Sequence, residues 1–296
     1  MNAIKHILLA TDLEPHSDRA MERAVMLAGQ LGADLTALYA IRTGAERGIL
    51  DNLPPHHIEA EMLRHLGSVP GARELALMTV AAKGPVEEAM AHYAELWKAD
   101  LMVAGRAQPS DGLLSVTTVE KISVASPRPL LAVTAKPFGP YAGVLVPVDF
   151  SPLSHPALRA ALVMIPTVGA IDLLHVHDVP SALTSADVAV STEDFADGFA
   201  PLLRGIQAGD RLITTGVRLG APIAEIVRAA QESSQTQLIV MGSSGRSGLG
   251  RALIGSVAHE VLERAPCDVL IVGGNGMDKG GRVPAHQGNR LEGGPL

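Results

Sequence analysis

The segment HILLATD, at residues 6–12, recurs as GVLVPVD at residues 143–149. In both segments an apolar run ends on an aspartate, and a serine stands five residues later, at Ser17 and Ser154. An alanine-rich helical pattern follows each serine. An apolar strand that leads directly into a helix is the opening unit of an α/β fold. The sequence therefore predicts two copies of one such fold in a single chain.

Further matches support this duplication. They are KGPVE at 83–87 with GAPIA at 220–224, and DLMVAG at 100–105 with QLIVMG at 237–242. Asp12, Pro85 and Gly105 each have their partner 137 residues later in the chain. One matching pentapeptide would carry little weight, whereas three anchors at a constant offset indicate an internal repeat.

Each copy alternates predicted strands with predicted helices. In the second copy we expect strands at about 143–148, 170–176, 210–218, 237–242 and 268–272, and helices at about 154–165, 192–206, 222–233 and 255–264. Alternating strands and helices imply right-handed crossovers and an open sheet. The predicted fold class is α/β, with two tandem doubly wound five-stranded parallel sheets flanked by helices.

The repeat also sets the expected domain boundaries. The first copy occupies residues 1–135 and the second copy residues 142–272, with 136–141 as a short connecting segment. Residues 273–296 are rich in glycine, proline and polar side chains and have almost nothing to bury. We predict that they form a disordered tail.

Composition excludes several classes of protein. Hydrophobic residues make up 47% of the chain and aromatic residues only 3%, which suits parallel sheets covered by helices on both faces. A net charge of −7 argues against a nucleic-acid-binding surface. No apolar run approaches the ~20 residues that span a bilayer, so we expect no membrane association. Cys267 is the one cysteine, which fits a reducing compartment, and we expect the protein in the cytoplasm.

The segment MGSSGRSGLGRALIGS, at residues 241–256, has the character of a phosphate-binding loop. Gly242 and Gly245 follow a predicted buried strand, and glycines let a backbone turn tightly and present N–H groups to an anion. Gly255 and Ser256 then begin a predicted helix, whose N-terminus favours negative charge. A merely flexible glycine-serine loop is the alternative, but the preceding strand and the following helix favour phosphate binding.

The spacing of these residues resembles that of the universal stress protein family. Its nucleotide-binding members carry glycine, two residues, glycine, nine residues, and then glycine with serine or threonine, and Gly242, Gly245, Gly255 and Ser256 match every position. The resemblance covers residues 5–272, including the strand end LHV at 174–176 and PCDVLIV at 266–272. It implies an adenine nucleotide α-hydrolase-like, Rossmann-like fold.

The resemblance also implies a role for individual residues. Asp149 would lie against the ribose and phosphates of ATP, the backbone of Val176 would bind the adenine edge, and Pro147 would lie close by. The ribose and phosphates would be lined by Met241, Gly242, Ser244, Gly245, Arg246, Gly255, Ser256 and Val257. Arg246 is equally compatible with a solvated loop position. Mg²⁺ would be held through the phosphates rather than by a protein cage, because this ion tends to retain water ligands.

The first copy departs from this pattern. The sequence Ala-Gln-Pro at 107–109 replaces the Ser-Gly-Arg of the second copy, and Thr117 and Thr118 replace the Gly-Ser pair after a one-residue deletion. Proline removes an N–H donor, and a β-branched threonine restricts close approach of the backbone. We therefore predict a degenerate site that binds ATP weakly or not at all, in which Asp12 acts as a helix cap.

Other side chains invite a functional reading. His56 and His57 are adjacent and are expected in a surface loop. His175, His177 and Asp178 could ligate zinc, although a core histidine beside the ligand pocket is the favoured interpretation. Cys267 is expected to be a small buried hydrophobe rather than a reactive thiol.

Three functions remain open from sequence. The favoured one is a regulatory ATP-binding stress-response protein with at most slow ATP hydrolysis. The alternatives are an adenylating or ATP-hydrolysing enzyme, and an interaction module that binds no nucleotide. Members of the family that the chain resembles commonly pair through their last strands, here 130–134 and 269–273. The resemblance therefore implies that the two copies form an intramolecular pseudo-dimer, with a homodimer of chains as a further possibility.

Overall fold

A computed structural model describes residues 3–15, 17–43, 48–106, 116–166, 168–178, 192–243 and 254–273. The first copy contains β1 (His6–Ala10), α1 (Asp18–Leu31), β2 (Asp34–Ile41), α2 (Pro55–Leu66), β3 (Leu77–Lys83), α3 (Val86–Leu96), β4 (Leu101–Gly105), α4 (Val116–Ala125) and β5 (Leu130–Val133). The second copy contains β6 (Gly143–Val148), α5 (Ser154–Met164), β7 (Val168–His177), α6 (Ala196–Leu203), β8 (Asp210–Leu219), α7 (Pro222–Glu232), β9 (Leu238–Gly242), α8 (Ser256–Arg264) and β10 (Asp268–Val272). The predicted tail lies outside the described residues, apart from residue 273.

The strands of both copies form one continuous sheet of ten strands, in the order β3-β2-β1-β4-β5-β10-β9-β6-β7-β8. Neighbours within each copy are parallel, as predicted. The copies meet where β5 and β10 pair antiparallel, with Leu131 opposite Leu270. Pairing through the last strands, which the family resemblance implied, is therefore confirmed. The two five-stranded sheets are two halves of a single larger sheet.

Helices cover both faces of this sheet, and the strands supply apolar side chains to each face in turn. Along β1, Ile7 and Leu9 belong to one buried cluster and Leu8 to the other. Along β10, Leu270 joins the first cluster and Val269 the second. This alternation follows from the two-residue period of a strand, and it explains why buried parallel strands read as continuous apolar runs.

A buried polar cluster joins the two copies on one face of the sheet. The Asp268 carboxylate, at the start of β10, is fully buried and accepts hydrogen bonds from the Tyr141 hydroxyl (2.6 Å) and the Thr134 N–H (2.8 Å). Arg23 of α1 lies 3.5 Å from the same carboxylate and 4.0 Å from the Tyr141 ring centroid. The segment 136–141, which we expected to be only a linker, thus contributes a fully buried tyrosine to the contact between the copies.

His56 and His57, which were expected in a surface loop, lie in the first turn of α2. In the second copy most element boundaries agree with the sequence-based expectation, and one helix differs. The helix expected at 192–206 is shorter, because Thr192–Phe195 form a 3₁₀ turn and α6 spans only Ala196–Leu203. Gly205 follows with a positive φ of 74°, which an α-helix does not allow. None of the helices in the described ranges has the length and apolarity needed to cross a bilayer.

Cys267 immediately precedes β10 and is 5% exposed. Burial, together with the nearby Asp268 carboxylate, raises the pKa of its thiol to about 12, despite the opposing charge of Arg106. The thiolate is the reactive form of cysteine, so the folded protein should resist alkylation by iodoacetamide at pH 8 and react fully in denaturant. Mass spectrometry of the intact chain checks this, and rapid modification of the native protein would contradict the reading of Cys267 as a core residue.

Candidate functional site

A cleft lies at the carboxyl ends of the central strands of the second copy. Strand β6 lies between β9 and β7 in the sheet, and the chain runs from β6 to β7 and β8 on one side before it returns to β9 on the other. In an open α/β sheet, ligands bind where the strand order reverses in this way. The cavity found there has a volume of about 310 Å³.

The structure places eight of the eleven predicted site residues around this cavity. They are Pro147, Asp149, Val176, Met241, Gly242, Gly255, Ser256 and Val257. The other three, Ser244, Gly245 and Arg246, lie outside the described residues. The ligand that these residues would hold stays a prediction.

One part of the cleft is built from the end of β9 and the start of α8. Gly242 closes β9, and a Cβ atom at this position would lie 2.6 Å from the Cβ of Leu153, so a side chain does not fit. Ser243 donates its N–H to Val272, and its carbonyl accepts the N–H of Gly255 at 2.6 Å. These bonds hold the helix start directly beside the strand end.

Gly255 is the N-terminal cap residue of α8, and its carbonyl accepts the N–H of His259. The N–H groups of the first turn, at residues 256–258, therefore precede the first intrahelical bond. Ser256, Val257 and Ala258 all line the cavity. The helix thus presents backbone donors, the positive end of its dipole and a serine hydroxyl at one end of the cleft.

Asp149 follows β6 and supplies a negative charge to the cleft. Its Oδ1 accepts the N–H of Ser151 at 3.0 Å and the hydroxyl of Ser154 at 3.1 Å. Burial opposes ionisation of this carboxyl, but the hydrogen bonds from Ser151 and Ser154 outweigh it and hold the pKa of Asp149 below its ordinary value. Asp149 is therefore a carboxylate at neutral pH, fixed in orientation by its two serine partners.

Part of the lining of the cleft is apolar. Leu174 and Val176 of β7 contribute to it, together with Pro222 and Ile226 of α7. Such a surface suits a flat, weakly polar ring, because most of the area of a small-ligand pocket is apolar and a few polar groups fix its orientation. The lining of the cleft therefore combines a carboxylate and hydrogen-bonding groups with apolar side chains.

Sequence reasoning missed several of the lining residues. They are Val148, Ser151, Leu153, Ser154, Leu174, Pro222, Ile226, Ser243 and Ala258. Ser154 and Pro222 carried a signal, because both mark positions that recur between the copies. Ser151 and Leu153 carried none, since they lie in the turn before α5, where no periodicity operates.

The sequence model of the universal stress protein family matches this chain twice, at residues 3–134 and 140–273. The chain belongs to the universal stress protein family. The two matches correspond to the two copies of the repeat, and each contains one half of the ten-stranded sheet.

Individual relatives resemble single copies or the whole chain. The universal stress protein YxiE of Bacillus subtilis is 33% identical over an alignment of 144 positions, and the match covers 44% of this chain and 97% of that protein. Universal stress protein MJ0531 of Methanocaldococcus jannaschii is 48% identical over 60 residues, 20% of this chain, and the match spans only 35% of its own length. A crystal structure of a universal stress protein from Archaeoglobus fulgidus covers 92% of this chain and 99% of its own, with a TM-score of 0.64 and 18% identity, which shows the shared fold.

The first copy of this universal stress protein has a corresponding cleft with different walls. Asp12, Ala40, Gly105 and Thr118 line a cavity of about 700 Å³ at the equivalent place. Arg42 and Lys121 also line it, whereas no lysine or arginine is among the described lining residues of the second cleft. Residues 107–109, on which the prediction of a degenerate loop partly depends, lie outside the described residues.

Asp12 was predicted to cap a helix, but it does not lie at the start of α1. Asp12 accepts the N–H of Glu14 at 3.1 Å, whereas the residue that precedes α1 is Ser17. Asp12 therefore stabilises the turn between β1 and α1, a role that aspartate commonly has when it bonds its own backbone two residues ahead.

The histidines near the second cleft are not arranged as a zinc site. His175 is buried, and its Nδ1 lies 2.9 Å from the carbonyl oxygen of Val148. Its ring packs against Phe150 and Phe195, at centroid distances of 4.6 and 4.7 Å. Within the described ranges, no group of three or more histidine, cysteine or acidic side chains could hold a metal ion. His175 is thus a core histidine, as the favoured interpretation had it.

Proposed function

We propose that this universal stress protein is a regulatory ATP-binding protein and that the cleft of the second copy holds the nucleotide. One observation carries the proposal. The N-terminus of α8, the end of β9 at Gly242 and the Asp149 carboxylate line a single cavity together with apolar side chains of β7 and α7. The backbone donors would suit phosphates, the carboxylate a ribose hydroxyl and the apolar side chains an adenine ring.

Phosphates would be bound mainly by backbone groups. The described lining residues include no lysine or arginine, so the N–H groups at the start of α8 and its dipole supply the attraction. Asp149 is the one carboxylate among these residues, which is too few for a protein-built Mg²⁺ cage. Mg²⁺ would instead bind the phosphates and keep several of its waters.

A regulatory role is favoured over catalysis because the described lining offers no suitable base. Asp149 is the titratable side chain there, its pKa is lowered, and its Oδ1 accepts two hydrogen bonds. An efficient general base has a pKa near the operating pH, so any ATP hydrolysis should be slow. An adenylating enzyme would also need a second substrate pocket, and an assay for pyrophosphate release with candidate acceptors tests that alternative.

ATP should raise the melting temperature of the protein. A ligand that binds only the folded state stabilises it by about 2.7 kcal/mol at a hundredfold excess over Kd. For a chain of this size we expect a rise of about 4–5 °C. Differential scanning fluorimetry with ATP, ADP, AMP and inorganic phosphate measures it. The absence of a shift with every adenine nucleotide would favour an interaction module without a nucleotide.

A further inference from the structure

The residue that follows the last glycine of β4 differs from the residue at the equivalent position after β9. Arg106 follows Gly105, and its counterpart Ser243 follows Gly242, 137 residues later. The backbone is placed alike in both, because Arg106 donates its N–H to Val133 at 2.7 Å and Ser243 donates to Val272 at 2.9 Å. The side chains differ. Ser243 lines the cleft of the second copy, whereas the side chain of Arg106 contacts residues of the second copy instead of its own cleft.

Arg106 is 6% exposed and extends into the second copy. Its guanidinium donates hydrogen bonds to the carbonyl oxygens of Leu262, Ala265 (2.6 Å) and Cys267 (3.3 Å). Its Nε donates to the Thr134 hydroxyl at 2.6 Å, which fixes the plane of the guanidinium. The three carbonyls belong to the last turn of α8 and the short connection from α8 to β10.

The last carbonyls of an α-helix have no partners within the helix and carry the negative end of its dipole. A guanidinium is a rigid fork of five donors, so one arginine can satisfy several such carbonyls at once. Burial lowers the pKa of Arg106. The nearby Cys267 and Asp268 act in the opposite direction, but burial has the larger effect. Arginine nevertheless stays protonated in proteins, so a positive charge of the first copy is buried at the end of α8.

The other end of α8 forms the phosphate side of the cleft in the second copy. Residues 255–258 line the cavity, and α8 ends at Arg264, only two turns later. A second contact between the copies lies along the same helix, where His259 Nδ1 is 3.3 Å from a carboxylate oxygen of Glu120 in α4. A shift of the C-terminal end of so short a helix would therefore move its N-terminal turn.

We propose that Arg106 is a positioning residue for the nucleotide site of the other copy. It holds α8 by its C-terminal end, and the first copy thereby sets where the phosphate-binding turn lies. The part of this inference that concerns affinity rests on the proposed ATP site, whereas the hold on α8 does not. A copy with a degenerate cleft thus contributes to ligand binding through a structural contact.

The experiment compares Arg106→Met with Arg23→Met. Both variants remove a buried arginine of the first copy from the contact between the copies, but Arg23 bonds the carbonyl of Gly139 and approaches Asp268 rather than α8. Hydrogen exchange of the ligand-free proteins should accelerate in the α8 amides of Arg106→Met, relative to α5 and α7 of the same molecule. Arg23→Met should show no such preference for α8.

ATP affinity provides the second readout. Arg106→Met should bind ATP about three- to tenfold more weakly than wild type, which lies within the range for residues that act through a packed element. Arg23→Met should change the affinity by less than about twofold. Arg106→Lys keeps the charge but has fewer donors, so it should change the exchange of α8 and the ATP affinity in the same direction by smaller amounts. It replaces Arg106→Met if that variant does not fold.

Unchanged exchange of α8 in a folded Arg106 variant overturns the inference, whatever the nucleotide result. Unchanged exchange together with a lowered melting temperature would mean that Arg106 only stabilises the contact between the copies. If the wild-type protein binds no ATP, the proposed function fails, but the exchange of α8 still decides whether Arg106 positions this helix. The two failures are therefore distinguishable.

Discussion

Replacing Asp268 with alanine is expected to lower the free energy of unfolding by about 3–5 kcal/mol, the loss typical of a broken buried ion pair. The substitution leaves Arg23, which is 4% exposed, without its carboxylate. It also removes the acceptor of the Tyr141 hydroxyl and of the backbone N–H groups of Thr134 and Ala135. Urea unfolding followed by circular dichroism measures the loss.

Asp100→Ala is a matched control for this prediction. Asp100 also accepts two backbone N–H groups from a distant part of the chain, those of Lys5 (2.8 Å) and His6 (3.1 Å). That site is partly exposed, so water can replace the carboxylate, and we expect a loss of about 1–2 kcal/mol. An equal loss in the two variants would contradict a special role for the buried cluster.

A double replacement distinguishes the contribution of the buried charges to stability from the contribution of the volume that their side chains fill. Arg23→Met with Asp268→Leu exchanges both charges for apolar side chains, a change that is often neutral or stabilising for buried pairs. We expect the double variant to be more stable than Asp268→Ala. A double variant no more stable than Asp268→Ala would show that the hydrogen bonds to Asp268, which both variants lose, dominate over the unpaired charge of Arg23.

The sequence could predict the strands of this fold but not the cluster at Asp268. All five strands of the second copy lie within two residues of their predicted limits, because a buried parallel strand is a short apolar run between breaks. Asp268 stands at the edge of such a run, and its partner Tyr141 is 127 residues away in the chain. No periodic pattern connects residues so far apart, so only the three-dimensional structure brings them together.

The candidate site was predictable where it depends on backbone geometry. Gly242 and Gly255 mark a strand end and a helix start, and each has a local signature in the sequence. Arg106 had no such signature, because its function depends on a helix of the other copy, more than 150 residues away. The single ten-stranded sheet likewise depends on the pairing of β5 with β10, for which a strand sequence alone carries no information.

The Asp149→Asn variant should bind ATP about 10- to 100-fold more weakly than wild type. A hydrogen bond from a ribose hydroxyl to a carboxylate contributes about 1.5–3 kcal/mol, and an amide oxygen is a weaker acceptor. Asparagine keeps an oxygen that can accept the Ser151 N–H and the Ser154 hydroxyl, as Oδ1 of Asp149 does. The turn should therefore stay folded, and isothermal titration calorimetry at pH 7 measures Kd and stoichiometry.

Asp12→Asn makes the same change at the equivalent position of the first copy. Asp12 accepts the N–H of Glu14 and lines the wider cleft, where Thr118 takes the place of Ser256. If only the second copy binds nucleotide, Asp12→Asn leaves the affinity within about twofold of wild type, and one ATP binds per chain. Two binding events, or equal weakening by both variants, would mean that the first cleft also holds nucleotide. The two aspartates differ little in sequence context, so this comparison tests the asymmetry of the duplication directly.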